Sequence, residues 1–568
     1  MSPAAEVSRG VLSGPSLESV EGIGALTLGG FLREVTERFA TNEAIVFDDP
    51  LTDHDAGVAT VRLTYAQVWE RTRRIAAALV AAGVEPGEFV GVVMGNRPEA
   101  IESIFAAAMI GAVAVPMSTF APPPELQAML EISGVSVVVT QPRLLARSFG
   151  DDLCALQPRV PGLRRVEVVG EPGWAEFLAT GDAVGSEGLD ARLAVVKPED
   201  PGLVIFSSGT TSRPKAMLHT NRAPSQQFWV QAQIFGRTQQ TRMWTALPLF
   251  WTAGFNTAVG ATLAAGGCWV AQETFEAGEA LALMGRERVT EPYAMPHQGA
   301  ALAEHPHWPY ADLSSLRCVF GKSVFARHPS VDGDTGWTMP VGYGLSETCA
   351  FVSGHRSDAG RDAMKRSVGG LLPGIEVRIS SFETGDALDV GEVGEITVRG
   401  STVMLGYLGR DPAECFDADG FFHTGDSGHL DSAGELHYDG RATEMIKSGG
   451  ANISPAEIEV ALRACAGVKL ARVIGVDDER LDQIAVACVE VADGATLTAH
   501  DVTSFLRERI ATYKVPRRVL IFDAGEIPLT SSGTKVRDAE LRSLIAERVA
   551  AERLAGEPAP TEPAPTER

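Results

Sequence analysis

Between residues 63 and 140, segments with helical spacing of apolar residues alternate three times with short apolar runs. The apolar runs lie at residues 90–94, 112–116 and 135–139. A run without polar alternation is typical of a strand that is buried on both faces, and helices between such strands indicate a parallel sheet covered by helices. The sequence therefore predicts an α/β protein.

The chain is longer than a single hydrophobic core usually becomes, since it has 568 residues, and we expect at least two domains. The predicted fold has a large N-terminal domain of two α/β lobes plus a β subdomain, followed by a small α+β C-terminal domain. The Pro-rich segment 197–201 is expected to mark the start of the second lobe. The predicted bounds are a flexible N-terminus at 1–25, the N-terminal domain at 26–441, the C-terminal domain at 442–545 and a disordered Pro/Ala/Thr/Glu tail at 546–568.

The net charge and the cysteine content argue against some classes of function and location. The formal net charge is −24, and no long basic run offsets it, which argues against a nucleic-acid partner. The seven cysteines are odd in number and scattered without Cys-x-x-Cys spacing, which favours reduced thiols and a cytoplasmic protein. No apolar segment has the length of a membrane span. We therefore expect a soluble protein that binds small molecules.

Residues 204–217 carry the strongest chemical signal. An apolar run ends in Ser207, Ser208, Gly209, Thr210 and Thr211, and Lys215 follows within reach. A glycine lets the backbone approach a ligand, while N–H groups, hydroxyls and a lysine together suit the oxygens of a polyphosphate. No Gly-Lys-Ser/Thr closes the run, so a P-loop NTPase fold does not follow. The structural alternative is an ordinary hydroxyl-rich surface loop.

Residues 341–348 suggest a second part of a nucleotide site. Tyr343 is bracketed by Gly342 and Gly344, and Ser346 and Glu347 follow. A tight turn can press a tyrosine face against a planar base, and a lone carboxylate near phosphates suits Mg²⁺, which keeps several waters. An aromatic turn beside a helix start is the structural alternative.

Two further segments complete the set of candidate binding residues. Asp426 follows a Thr-Gly turn, where it can accept both hydroxyls of a ribose or simply cap its own backbone. Residues 247–255, which include Trp251, Ala253 and Gly254, are apolar, and no acidic residue lies between positions 247 and 270. Such a lining suits an apolar carboxylic acid better than an amino acid. A core loop is the structural alternative for this segment.

In their order along the chain these motifs resemble those of the adenylate-forming superfamily, which includes acyl-CoA synthetases, firefly luciferase and nonribosomal peptide adenylation domains. The resemblance extends over about residues 30–540. It implies that the C-terminal domain is a mobile lid. It also implies binding of ATP through Ser207, Ser208, Gly209, Thr210, Thr211, Lys215, Tyr343, Gly344, Ser346, Asp426 and Arg441, with Glu347 as the magnesium ligand.

The resemblance assigns the remaining candidate residues as well. Lys535 would bridge the substrate carboxylate and the α-phosphate, so that Lys535, Glu347 and Lys215 form the catalytic set. Lys447, Gly449 and Gly450 would flank the pantetheine tunnel of coenzyme A. The acyl pocket would be lined by Trp251, Ala253, Gly254, Gly321 and Gly342. The chain departs from the family pattern at Ser212, Ala216, Trp251, Lys322, Thr443 and Thr534.

The implied function is that of an ATP- and Mg²⁺-dependent acid:CoA ligase that forms an acyl-AMP and then a thioester. Three alternatives stay open: an acyl-AMP ligase that loads an acyl carrier protein, an amino-acid adenylating enzyme, and a nucleotide-binding pseudoenzyme. Fatty, aryl and polycyclic acids are all compatible with the sequence. The sequence also leaves the oligomeric state open.

Overall fold

A computed structural model describes residues 7–8, 10–51, 59–207, 214–319, 323–332, 339–441, 446–448, 451–453, 455–478, 481–492, 494–510, 514–529 and 536–554. The chain divides into two compact units. The first comprises residues 1–378, 397–423 and 431–436, and the second comprises residues 379–396, 424–430 and 437–568. Strands at 375–380, 394–400 and 422–430 have residues in both units.

The helices of the described residues are numbered along the chain. They are α1 (Leu28–Phe39), α2 (Tyr65–Ala81), α3 (Pro98–Met109), α4 (Pro123–Ser133), α5 (Phe149–Leu156), α6 (Pro172–Thr180), α7 (Gly185–Val195), α8 (Arg222–Ile234), α9 (Ala261–Ala264), α10 (Ala277–Arg286), α11 (Pro296–Glu304), α12 (Ala363–Arg366), α13 (Pro455–Arg463), α14 (Ala499–Arg507) and α15 (Asp538–Leu554). A π-helix, Ala253–Gly260, precedes α9.

The strands are numbered in the same way. They are β1 (Val7–Ser8), β2 (Val11–Ser13), β3 (Glu43–Asp49), β4 (Ala59–Thr64), β5 (Phe89–Val93), β6 (Val113–Pro116), β7 (Val137–Thr140), β8 (Arg165–Val168), β9 (Pro201–Ser207), β10 (Lys215–Thr220), β11 (Arg242–Thr245), β12 (Cys268–Ala271), β13 (Glu291–Tyr293), β14 (Gly342–Leu345), β15 (Ala350–Gly354), β16 (Gly370–Leu371), β17 (Ile375–Ser380), β18 (Gly394–Gly400), β19 (Gly406–Tyr407), β20 (Phe422–Leu430), β21 (Leu436–Arg441), β22 (Ile446–Ser448), β23 (Ala451–Ile453), β24 (Val468–Asp478), β25 (Asp482–Val491) and β26 (Arg518–Phe522).

A seven-stranded sheet of the first unit has the order β19-β10-β9-β6-β5-β7-β8. Strands β5 to β8 are parallel, and β9 lies parallel to β6 with Leu203 opposite Ala114. The strands predicted at 90–94, 112–116 and 135–139 are confirmed. The expectation that a second lobe starts at 197–201 is wrong, because β9 and β10 extend the first sheet instead.

A five-stranded sheet of the same unit has the order β13-β11-β12-β3-β4. Strands β13, β11, β12 and β3 are parallel, and β4 pairs with β3 in the antiparallel sense. The second lobe therefore combines an N-terminal hairpin, β3 and β4, with strands from residues 242–293. Neither lobe is one continuous stretch of sequence, because neighbouring strands in a parallel sheet come from distant segments of the chain.

Local sequence explains where several helices begin. The Thr27 side chain accepts a hydrogen bond from the Gly30 amide, and Thr64 and Gln67 form a capping box at α2. Both arrangements satisfy amides that lack a partner in the first helical turn. Prolines 123 and 124 begin α4. Proline is tolerated in the first turn because its missing N–H would have no intrahelical acceptor there.

The helices of the first unit meet in an aromatic core. Phe228 of α8 packs against Phe31, Phe105 and Phe255, with ring centroids 4.8, 6.5 and 5.3 Å away. All four side chains are fully buried. A Cβ added to Gly260 would overlap the Phe228 ring. This glycine therefore lets the end of the π-helix approach α8 closely.

The second unit contains a sheet of order β23-β22-β25-β24, in which β26 also pairs with β25. Helices α13 and α14 contribute Ile458, Leu462, Val502 and Leu506 to a core that covers this sheet. Helix α15 covers a second apolar cluster through Leu541 and Ile545. The α+β architecture predicted for the C-terminal region is confirmed.

The segment that was expected to be flexible contains a strand. Leu12 of β2 is buried and lies opposite Val377 of β17. Among the described residues no helix has the length and apolarity that crossing a membrane requires. The seven cysteines are all free thiols.

We predict that Gly260→Ala destabilises the protein by about 1–3 kcal/mol, because the added methyl group overpacks the ring of Phe228. The matched control is Gly173→Ala, since a Cβ on this exposed glycine of α6 meets no atom within 4 Å. Thermal unfolding followed by circular dichroism measures both variants. An unchanged midpoint for Gly260→Ala would contradict the close packing described here.

Candidate functional site

Strands β9 and β10 precede and follow the hydroxyl-rich residues 208–213, which lie outside the described residues. The two strands are antiparallel neighbours, and Ser207 at the end of β9 lies opposite Lys215 at the start of β10. Lys215 is half-buried. The backbone ladder therefore places the predicted phosphate lysine directly beside the start of the predicted phosphate loop.

Lys215 and Glu347 both contact the side chain of Tyr407. The ammonium of Lys215 lies 5.5 Å from the centre of the Tyr407 ring, and the Tyr407 hydroxyl donates to Oε1 of Glu347 at 2.8 Å. Strand β19 pairs with β10 so that Tyr407 lies opposite Met217. Burial and then the negative charge of Glu347 raise the pKa of the Tyr407 phenol, which therefore stays protonated as a donor.

The turn that carries Ser346 and Glu347 is held by buried polar side chains. His219 of β10 lies 2.9 Å from the Ser346 carbonyl through Nε2. Gln227 of α8 donates to the Phe351 carbonyl at 2.7 Å, and Asn256 of the π-helix donates to the Cys349 carbonyl. Burial lowers the pKa of His219 to about 4, so the neutral ring donates through Nε2.

Glycines beside Tyr343 allow strands β14 and β15 to approach closely. A Cβ on Gly344 would overlap the Ala350 carbonyl oxygen, and one on Gly342 would lie 2.6 Å from the Ser353 carbonyl oxygen. Tyr343 itself is buried. The expected tight turn is instead part of β14, and its two glycines are required by the close packing of β14 against β15.

Three aromatic side chains pack together on two segments, which follow strands of two different sheets. Phe120 lies between β6 and α4, while Phe250 and Trp251 lie between β11 and the π-helix. The ring centroids are 5.5 Å apart for Phe120 and Phe250, 6.0 Å for Phe120 and Trp251, and 5.8 Å for Phe250 and Trp251. Phe120 is 55% exposed. The cluster thus presents an aromatic edge to solvent.

The predicted acyl-pocket residues Ala253 and Gly254 begin the π-helix. A Cβ on Gly254 would overlap the Pro248 carbonyl oxygen. Its missing side chain is therefore explained by close backbone packing on that side. Such π-helical turns are rare and often occur at functional sites.

The second unit holds the predicted ribose residue. Asp426 is 2% exposed, and its Oδ1 lies 2.9 Å from Nε of Arg441. Arg441 also donates to the Thr424 carbonyl at 2.9 Å, and the Asp426 amide donates to the Thr424 hydroxyl at 3.0 Å. Gly425 adopts a left-handed φ of 70° between them. The expected Thr-Gly turn is instead part of β20, and the neighbouring strand β21 brings Arg441 to Asp426 across 15 positions.

Family models match most of the chain. The model of the AMP-binding enzyme matches residues 32–408, and that of the AMP-binding enzyme C-terminal domain matches residues 457–534. The chain belongs to the AMP-binding enzyme family. It is an AMP-forming acid–thiol ligase, which activates an apolar carboxylic acid with ATP to an acyl-AMP and then forms the coenzyme A thioester.

The chain is also similar in sequence or structure to proteins with known names, which supports its membership of the AMP-binding enzyme family. The chain is 34% identical over 495 residues to an indoleacetate–CoA ligase of Aromatoleum aromaticum, covering 86% of this chain and 94% of that one. It is 35% identical over 491 residues to a feruloyl-CoA synthase of Amycolatopsis, covering 84% and 93%. The structure of ATP-bound MatB from Rhodopseudomonas palustris matches with a TM-score of 0.73 at 25% identity, covering 92% and 99%.

The residues present in this AMP-binding enzyme fit a magnesium ion that is held mainly by substrate. Among the described residues no group of three or more His, Cys, Asp or Glu side chains could hold a metal. Mg²⁺ is commonly bound by one or two carboxylates plus substrate phosphates and water, and Glu347 offers such a carboxylate.

A cavity of about 620 Å³ lies elsewhere, at the amino ends of the second sheet. It contains none of the predicted site residues. Glu287 lies 2.7 Å from Arg62 and 2.8 Å from Arg242, and Glu43 lies 2.9 and 2.7 Å from the same two arginines. These ion pairs have a structural explanation, because they tie the starts of β3 and β11 to the end of α10. In open α/β sheets ligands bind at the carboxyl ends of the strands.

Some predicted residues of this AMP-binding enzyme lie outside the described residues, and their roles stay predictions. They are Ser208, Gly209, Thr210, Thr211, Gly321, Gly449, Gly450 and Lys535, together with the side chains of Ser207 and Lys447. The sequence analysis missed Tyr407, His219 and Phe120. Each reaches the site only through sheet pairing or loop convergence.

We predict that folding stability falls as pH decreases from 6.5 to 4, partly because of His219. Its folded-state pKa of about 4 lies below the ordinary value of 6.5. Between these values the unfolded chain binds the extra proton, so protonation favours unfolding by up to about 3 kcal/mol. Urea unfolding at several pH values measures the effect.

In His219→Asn, the contribution of residue 219 to the pH dependence of folding stability should be absent, because asparagine does not titrate. The exposed His307, changed to Asn, serves as the control and should keep the full pH dependence. Identical pH profiles for His219→Asn and the unchanged protein would contradict a neutral buried His219.

Proposed function

We propose that this enzyme activates apolar carboxylic acids that carry a ring. The observation that supports the proposal is the cluster of Phe120, Phe250 and Trp251, whose edge-to-face rings follow the carboxyl ends of β6 and β11. A further ring on a substrate gains from such an arrangement beyond its buried area. The names of the two relatives, an indoleacetate ligase and a feruloyl-CoA synthase, also refer to ring-bearing acids.

In the first half-reaction the acid's carboxylate oxygen attacks the α-phosphorus of ATP, and pyrophosphate leaves. Lys215 and the hydroxyls of residues 207–211 are proposed to hold the phosphate chain. Tyr343 is proposed to contact adenine, Asp426 the ribose and Arg441 the ribose or a phosphate. Lys535 is proposed to lie between the two anions that must meet, since their repulsion otherwise opposes the reaction.

Mg²⁺ is proposed to bind Glu347. When bound, the ion supplies positive charge that offsets the charge of the phosphate oxygens. The chain's own contribution is to present one carboxylate, which accepts a hydrogen bond from the Tyr407 hydroxyl.

In the second half-reaction the thiol of coenzyme A attacks the acyl-AMP carbonyl, and AMP leaves. Residues 442–545 are proposed to form a lid that turns at Thr443, withdraws Lys535 and presents Lys447, Gly449 and Gly450 to the pantetheine arm. An acyl carrier protein presents the same pantetheine thiol, so it is an alternative acceptor. The cytoplasmic location inferred from cysteine usage also stays a proposal.

We predict that Trp251→Ala lowers kcat/KM for phenylacetic acid about 5- to 10-fold, because one edge-to-face partner is lost. Hexanoic acid should be affected less, since it has no ring. Pyrophosphate release measured with a panel of acids gives both values. Trp174→Ala is the matched control, because Trp174 of α6 also packs against a phenylalanine, Phe177, with ring centroids 5.4 Å apart. Equal losses for the aromatic and straight-chain acids would contradict ring selection.

We predict that Lys535→Ala lowers adenylation about 100-fold or more, because the charge between carboxylate and α-phosphate is removed. Thioester formation from supplied acyl-AMP and coenzyme A should be largely spared. The two half-reactions are assayed separately, with Lys365→Ala as control, since Lys365 is an exposed lysine of α12. An equal loss in both half-reactions rejects the role.

A further inference from the structure

Tyr407 contacts the proposed metal ligand Glu347, although the proposed reaction needs no tyrosine side chain. Its hydroxyl donates to one particular oxygen of Glu347, Oε1, at 2.8 Å. The side chain is half-buried. A hydrogen bond to a charged acceptor in a partly buried site is stronger than one between neutral groups. The contact therefore restricts the orientation of the Glu347 carboxylate.

Both ends of this hydrogen bond are anchored by backbone. On the tyrosine side, the Leu405 amide donates to the Leu218 carbonyl at 2.7 Å and the Leu408 amide donates to the Ala216 carbonyl at 2.9 Å. On the glutamate side, the Met404 amide donates to the Glu347 carbonyl at 2.8 Å. The donor and the acceptor are thus held by the same short segment, residues 404–408.

Two cations hold the ring itself. The Lys215 ammonium and the Arg410 guanidinium each lie 5.5 Å from the centre of the Tyr407 ring. Cations near a ring face are attracted to its π-electrons. Tyr407 therefore connects the predicted phosphate lysine to the predicted metal carboxylate through one side chain.

The arrangement leaves the two oxygens of Glu347 unequal. Oε1 is occupied by the tyrosine hydroxyl, whereas among the described residues Oε2 has no hydrogen-bond or ion-pair partner. Mg²⁺ and Mn²⁺ prefer six-coordinate sites in which a carboxylate supplies one oxygen. Ca²⁺ is larger, takes up to eight oxygens and often binds both oxygens of a carboxylate.

We propose that Tyr407 is a positioning residue that limits Glu347 to ligation through Oε2, so that the site selects Mg²⁺ or Mn²⁺ over Ca²⁺. The proposal rests on the proposed role of Glu347 as the metal ligand. Tyr407 contacts the ligand and needs no contact with substrate. Ion selectivity is then determined by which carboxylate oxygen is free as well as by the number of ligands.

The test measures metal binding directly. Mn²⁺ is titrated by electron paramagnetic resonance into the full chain saturated with α,β-methylene-ATP, which cannot be cleaved at the α–β bond. Ca²⁺ then competes for the site. The variants are Tyr407→Phe, which keeps the ring and removes the hydroxyl, and Glu347→Gln. Tyr310→Phe is the matched control, because this tyrosine is 85% exposed.

Tyr407→Phe should weaken Mn²⁺ binding about tenfold, as expected when a partner of a metal ligand is removed. The ratio of the Ca²⁺ to the Mn²⁺ dissociation constant should fall by a similar factor, because Oε1 becomes available for two-oxygen ligation. Tyr310→Phe should match the unchanged protein. The binding of α,β-methylene-ATP without metal should stay the same in Tyr407→Phe, which would exclude a general loss of structure.

Two results would overturn the role of Tyr407. One is unchanged Mn²⁺ binding in Tyr407→Phe while Glu347→Gln loses it. The other is an equal loss for Mn²⁺ and Ca²⁺, which indicates a structural contact without selectivity. If Glu347→Gln binds Mn²⁺ as the unchanged protein does, Glu347 is not the ligand, and the proposed metal role fails together with this proposal.

Discussion

The hydrogen-bond ladder of strand β10 is the constraint on which the site in the first unit depends. One edge of β10 pairs with β9, which sets Lys215 opposite Ser207, and the other edge pairs with β19, which sets Tyr407 opposite Met217. Antiparallel pairing fixes register to a single residue, since a slip by one position would turn every side chain to the other face. The lysine and the tyrosine therefore meet because of backbone geometry, before any ligand contributes.

Neutral buried groups hold the rest of this site. His219, Gln227 and Asn256 each donate to a carbonyl of the turn at residues 346–351. A carbonyl that is buried without a donor costs roughly 1–3 kcal/mol, so these bonds make one conformation of the turn much more stable than others. Because the donors carry no charge, Glu347 remains the one ionised group that this part of the turn presents.

The sequence predicts what is encoded locally, and misses what depends on distant pairing. The strands at 90–94, 112–116 and 135–139 follow from their apolar runs. The membership of β9 in the first sheet is different, because nothing in residues 197–207 specifies the strand they pair with. Tyr407 lies 60 positions after Glu347, and Phe120 lies about 130 before Trp251. No periodicity connects such pairs.

The residues proposed for adenylation and those proposed for acyl selection lie on different segments of the first unit. Lys215, Tyr407 and Glu347 are placed by β10, β19 and the turn after β14, whereas Phe120, Phe250 and Trp251 lie on the segments after β6 and β11. The aromatic residues lie on connections, which vary more easily than the strands that hold them. Substitutions there alter the aromatic cluster, and none of its three residues belongs to the ladder of β10. Under the proposed roles, the surface that meets the acyl group can therefore change while the residues placed by β10 stay the same.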